Sequence, residues 1–223
     1  MREIILDTET TGLDPKAGHR LVEIGAVELI NHTPTGNNYQ TYINPERDVD
    51  PGAYEVHGLA KEFLQEQPVF EAISENFLNF ISDSILVIHN APFDMAFINM
   101  ELERLNRAPI GIERVVDTLA MARKKFPGAQ ASLDALCRKF SIENSHRELH
   151  GALVDADLLA GVYLELIGGK EPALALSEKV AEKPERAETR GFYKPRSFTV
   201  SREELQQHEA FLKEITNPIW KRG

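Results

Sequence analysis

The sequence of 223 residues has one cysteine, Cys137. That excludes an internal disulfide and a CxxC metal knuckle, and it fits a reducing compartment. No run approaches the ~20 consecutive apolar residues of a membrane span. The opening residues turn acidic at Asp7 and Glu9 before a signal-peptide hydrophobic region can form. The expectation is a cytoplasmic chain, neither exported nor embedded. Positive charge is also short: 25 Lys and Arg face 35 Asp and Glu, a formal charge of −10. A protein that relies on its own field to hold phosphate backbones carries the opposite balance. If this chain handles nucleic acid, something else supplies the positive charge. The rest is ordinary: 42% hydrophobic and 27% charged residues, as in one globular domain with room for an appendage.

The deficit is not evenly spread. Residues 1–169 hold 14 Lys and Arg against 26 Asp and Glu, net −12, whereas residues 170–223 hold 11 against 9, net +2. Over the first stretch, short β-branched runs alternate with longer helical patterns, the signature of an α/β domain around a sheet. The spacing predicts strands at Ile4–Asp7, Leu21–Ile30, Asn38–Ile43, Ser84–His89 and Arg114–Asp117, with Thr33-Pro34-Thr35-Gly36 read as a turn. Helices are predicted at Val69–Ile81, Asp94–Arg107, Leu119–Phe126, Leu133–Phe140 and Ala152–Leu166. The first three strands form a meander, and the later ones join in parallel through helical crossovers. Ser132 stands where an N-cap is wanted, and Cys137 lies on the apolar stripe of the helix behind it, which makes it a core residue.

Three segments carry candidate chemistry. Asp7 and Glu9 end an apolar strand and, by alternation, point the same way. They are either a solvated strand end or a pair of hard oxygen ligands for Mg2+ or Mn2+. Asp94 follows His89-Asn90-Ala91-Pro92-Phe93, and Phe97, Ile98, Leu102 and Leu105 place it on the core-facing stripe of its helix. An unpaired carboxylate is expensive there unless a cation offsets it, and the alternative is an ordinary acidic residue in a first helical turn. Asp155 sits on the stripe of Leu159, Val162, Tyr163 and Leu166, whereas Asp157 lies roughly 200° away around the helix and faces solvent. His150 precedes that helix in a loop, where a histidine beside a metal cluster is the natural general base. Four carboxylates from three distant segments suit phosphodiester hydrolysis with two metal ions, and the ions would supply the positive charge that the composition lacks.

Asp7-Thr8-Glu9-Thr10-Thr11-Gly12, His89-Asn90-Ala91-Pro92-Phe93-Asp94 and His150-Gly151-Ala152-Leu153-Val154-Asp155 resemble, in order and spacing, the three motifs of the DEDDh family of 3′→5′ exonucleases. Val56-His57-Gly58-Leu59, Asp117-Thr118, Ser132 to Arg138 and Asn144-Ser145 narrow the likeness to the branch that proofreads for bacterial replicative polymerases. It covers residues 1–169. The resemblance implies a ribonuclease H-like mixed five-stranded sheet flanked by helices, with the second strand antiparallel. It implies that Asp7, Glu9, Asp94 and Asp155 hold two divalent cations, Mg2+ or Mn2+, with His150 as the base. It also implies that Thr10 and Leu13 lie near the terminal nucleotide of a single-stranded 3′ DNA end, with His57, His89, Asn90 and Phe93 shaping its pocket.

Residues 170–197 are rich in Glu, Lys, Ala and Pro, the composition of a flexible linker. Ser201 and Glu204 then form a capping-box pair ahead of Leu205, His208, Leu212 and Ile215 at helical spacing. That helix either folds back on the domain or docks on a partner. Phe198, Glu203-Glu204, His208-Glu209, Leu212 and Trp220 resemble the family's polymerase-binding segment, which implies a polymerase subunit as partner of residues 198–223. Residues 171–176 have the shape of a sliding-clamp peptide, with Glu171 where Gln is usual and Leu176 where Phe is usual; the other reading is the frayed end of the preceding helix. The family resemblance leaves open a small third core subunit. Two alternatives stand beside the proofreading reading: an RNA-directed relative with the same motifs, and a non-catalytic polymerase or clamp adaptor.

Overall fold

The computed structural model describes residues 1–144, 149–168 and 200–215. It divides into two compact units, Met1–Leu174 and Ala175–Gly223. In the first, five strands form one mixed sheet in the order β3-β2-β1-β4-β5. β1 (Arg2–Thr10) pairs antiparallel with β2 (Leu21–Ile30), β2 antiparallel with β3 (Thr33–Tyr42), and β1 parallel with β4 (Ile85–Ile88), which pairs parallel with β5 (Val115–Asp117). The expected meander and parallel crossovers are both present.

β1 is central, and both of its faces are covered, which is why Ile4, Ile5 and Leu6 run without alternation. Ile4 and Leu6 face a core that includes residues of α3 (Phe70–Ile81) and α4 (Ala91–Arg104). On the other face Ile5 packs with Val27, Val87, Leu159 and Tyr163, the last two from α7 (Ala152–Ile167). α5 (Thr118–Lys125) and α6 (Leu133–Phe140) extend that layer around Leu136 and Cys137, which is fully buried as expected. The Ser132 side chain accepts from Ala135 N–H, completing the predicted cap.

Polar anchors fix the layers. Arg20 grips buried Glu101 of α4 with two bonds, 2.5 and 2.8 Å. Tyr163 Oη donates to Glu3 Oε1 at 2.7 Å, tying α7 to the start of β1.

Three expectations change. The β2–β3 turn is Asn31-His32, both at positive φ (49° and 63°), the left-handed geometry of a two-residue hairpin. Thr33–Gly36 is therefore strand, and Pro34 is tolerated because β3 is an edge. The helix of Asp94 starts at Ala91, because Pro92 needs no partner for its nitrogen in a first turn, and it ends at Arg104 ahead of Asn106, at φ 53°. Two helices were not predicted, α1 (Pro51–His57) and α2 (Lys61–Gln65), each too short to display a 3.6-residue period.

In the second unit, α8 (Arg202–Glu214) begins with the expected capping box, formed reciprocally by Ser201 and Glu204. Leu205 and Phe211 are exposed on it. The linker, the 171–176 peptide, Phe198 and Trp220 lie outside the described residues.

Candidate active site

The site is built at the C-terminal end of β1, where α7 begins on one face of the sheet and α4 on the other. Asp7 lies opposite Gly25 of β2, and Glu9 opposite Glu23. A Cβ on Gly25 would sit 2.1 Å from Leu153 N and 2.2 Å from the Ala152 carbonyl carbon, so the first turn of α7 rests directly on the β2 backbone. Glu23, buried, accepts from Ala152 N–H through Oε2 at 3.1 Å and from Gln40 Nε2 through Oε1 at 2.8 Å. Desolvation and the nearby Asp155 charge push its pKa up, while the two hydrogen bonds oppose the rise.

This seating delivers Asp155. It is 3% exposed, and Asp157 is exposed, as the helical stripe required. His150 lies in the loop ahead of α7, anchored by its N–H to Val56 C=O at 3.0 Å. Its Nδ1 is 3.1 Å from Asp155 Oδ2, with the imidazole 44% exposed. Ligand atoms of Glu9, His150 and Asp155 all fall within 4.8 Å of one another. Asp7 shares the strand face of Glu9 and is half-buried.

Asp94 arrives from the opposite layer. Its Oδ1 accepts from Thr8 Oγ1 at 2.7 Å, so it is held by the residue between Asp7 and Glu9. Burial pushes its carboxyl up to about 7, against the opposing hydrogen bonds from Thr8 and backbone amides. The donor set brought together is two carboxylates, Glu9 and Asp155, with the His150 imidazole, which fits a divalent cation; Asp7 and Asp94 are not part of this 4.8 Å group.

A cleft of about 580 Å³ opens beside Glu9. Thr10, Leu13, His57 and Phe93 line it, and Asp50–Ala53 and Val56 at α1 form a wall that sequence reasoning missed. Leu13 is 83% exposed, whereas His57 is 4% exposed and its Nδ1 accepts from Leu59 N–H at 3.0 Å, which leaves the ring proton on Nε2. Burial lowers the His57 pKa. His89 and Asn90 do not line this cleft. His89 Nδ1 meets Thr118 Oγ1 at 2.9 Å, and Asn90 N–H donates to Asp117 Oδ1 at 3.1 Å, the carboxylate that also caps α5. Glu23 and Gly25 were missed as well. Their signal was a carboxylate and a glycine in a strand whose other residues, Glu28 apart, are apolar.

The RNase_T exonuclease family matches residues 4–163. The chain belongs to this family. A relative from Rickettsia felis, DNA polymerase III subunit epsilon, is 52% identical over 222 residues, covering 96% of this chain and 97% of its own. The exonuclease is therefore also an epsilon-type chain, with the 3′→5′ proofreading function of that type. Among solved structures, Exonuclease X in complex with 5′ overhanging duplex DNA is 25% identical with a TM-score of 0.59, over 74% of this chain and 90% of that one. The nuclease domain of 3′hExo, a DEDDh family member bound to rAMP, shares the fold at 16% identity and a TM-score of 0.64, over 74% and 91% of the two chains.

Proposed function

We propose that this exonuclease removes mispaired 3′-terminal deoxynucleotides during replication by metal-dependent phosphodiester hydrolysis, releasing nucleoside 5′-monophosphates. The observation that carries the reading is the convergence of Glu9, His150 and Asp155 within 4.8 Å beside an open cleft. Asp7, Glu9, Asp94 and Asp155 would hold two cations, Mg2+ or Mn2+. Bound there, the cations supply an activated water and offset the charge of the phosphate and the leaving 3′ oxygen.

The chain's own residues do the rest. His150 takes the proton of the attacking water. Its Nδ1 faces Asp155, which orients the ring and presents Nε2 to the proton. Thr10, Leu13, His57 and Phe93 receive the terminal nucleotide, and their apolar surfaces hold a base without reading its edge. His89 and Asn90 act one layer back, fixing the β4–α4 turn to Asp117 and Thr118.

Partner binding belongs to the tail. Residues 198–223 bind the polymerase III alpha subunit, residues 171–176 the sliding clamp, and 170–197 form the tether, which raises the local concentration at the primer end to roughly millimolar. The capped helix α8 with Leu205 and Phe211 exposed supports this. The compartment is the cytoplasm.

The test is a time course on a 3′-mispaired primer–template and on a short RNA, with Mg2+, with chelator, and with Asp7 and Glu9 both changed to Ala. Cation-dependent removal of 3′ deoxynucleotides, favouring the mispair and lost in the double variant, is the expected result. Preference for RNA would replace it with the RNA-directed reading. No cleavage of either would favour the adaptor.

A further inference from the structure

We propose that Glu23 is a positioning residue for the hydrolytic site, holding Asp155 and His150 in register with β1. This rests on the reading of those two residues given above. Glu23 is the third residue of β2 and 1% exposed, where a carboxylate is costly unless its oxygens are satisfied. Both oxygens have donors, Gln40 Nε2 and Ala152 N–H.

The second donor decides the argument. Ala152 opens α7, and the residue before it is Gly151, which has no side chain to cap the helix. The Ala152 N–H is one of the first-turn donors that have no partner within the helix, and it is taken by a carboxylate 129 residues away in sequence, on the strand beneath. Its charge also suits the positive end of the helix. Gly25, two residues along β2, lets the backbones touch, so Glu23 sets the height at which they do.

The reacting groups ride on this contact. His150 lies two residues before Ala152 and Asp155 three after. A slip of α7 by one residue moves its axis by about 1.5 Å and turns the carboxylate by roughly 100°. Toward the far end Tyr163 is tied to Glu3, and Lys125 Nζ donates to the Glu165 and Leu166 carbonyls, so those contacts hold the end of α7 away from the site, whereas Glu23 holds its first turn at the site.

The experiment compares full-length wild type with Glu23→Met, which fills the space without an acceptor, and Glu23→Gln, whose side-chain carbonyl still accepts from Ala152 once Gln40 turns its amide. Mn2+ binding without DNA, kcat and KM on a single-stranded oligonucleotide, and amide hydrogen exchange at Ala152 are read for each. In Glu23→Met, Mn2+ binding weakens about tenfold and kcat falls about 10²-fold with KM nearly unchanged. Exchange at Ala152 rises about tenfold. Glu23→Gln recovers most of all three. Equal losses in both variants, or a Glu23→Met protein indistinguishable from wild type, overturn the inference. Glu23→Ala stands in if the Met variant does not fold, and failure of both to fold assigns Glu23 to stability alone and overturns it as well. A wild type without cation-dependent cleavage would defeat the proposed function, while exchange at Ala152 would still decide whether Glu23 holds α7.

Discussion

Single atoms decide the site at the residue scale. A methyl group on Gly25 would meet backbone atoms of Ala152 and Leu153 at 2.1–2.4 Å, and backbone cannot turn aside as a side chain can. Gly25→Ala is expected to lose about 1–3 kcal/mol of stability by urea denaturation, and to weaken Mn2+ binding because Asp155 is lifted with its helix. Buried His57 and half-buried His89 carry a pH dependence. Burial holds His57 and His89 below the ordinary histidine value of 6.5. As pH falls the unfolded chain takes up these protons first, so the stability contributed by the neutral rings is whole above 6.5 and is lost as pH falls from there through the depressed folded values. Urea stability measured from neutral to mildly acidic pH is expected to fall more in wild type than in His57→Gln. The site carboxylates were legible at this scale because core-facing stripes expose a misplaced charge: Asp94 and Asp155 each interrupt one. Glu23 was not, since its function depends on what lies above it.

Elements that bring distant residues together show where sequence reading stopped. The long helices announce themselves by periodicity and the central strands by short β-branched runs, and α6 was predicted with its exact bounds, Leu133–Phe140. α1 did not, although it walls the cleft and its Val56 carbonyl holds the His150 backbone. Its end is set by Gly58 at φ +70°, and Leu149 from the His150 loop packs so close that a Cβ there would lie 2.6 Å from its Cδ1. Gly58→Ala is expected to cost about 1 kcal/mol for the left-handed backbone. It also pushes Leu149 away and lowers kcat several-fold by shifting His150. Thermal melting and steady-state kinetics on one oligonucleotide check both. The β2–β3 turn was misplaced for a related reason: Thr33-Pro34-Thr35-Gly36 has turn composition, yet Asn31 and His32 take the left-handed geometry the hairpin needs.

The whole molecule keeps its charges apart. The acidic stretch, net −12 over residues 1–169, carries the site, and the remaining 54 residues carry net +2. If partner binding belongs to the tail, a chain ending after Gly168 should cleave single strands at a rate close to that of the full protein while failing to co-elute with the polymerase subunit. Nuclease assay and size-exclusion chromatography read the two separately, and loss of cleavage in the shortened chain would show that the tail is part of the site.

Composition and periodicity by themselves determined the α/β class, the buried Cys137 and the exposed Asp157, and three spaced motifs were enough to point to the family. Those properties follow from local rules: which face a side chain takes on a strand or helix, and what burial costs it. The tertiary structure decided what no local rule contains. Asp94 meets Thr8 from the layer opposite to Asp155, Glu23 caps a helix 129 residues away, and Gly25 sets how closely that helix can approach. These are contacts between separate elements, fixed by the packing of two helical layers on one sheet. A carboxylate that caps and a carboxylate that binds metal are the same residue type until that packing gives each its neighbours.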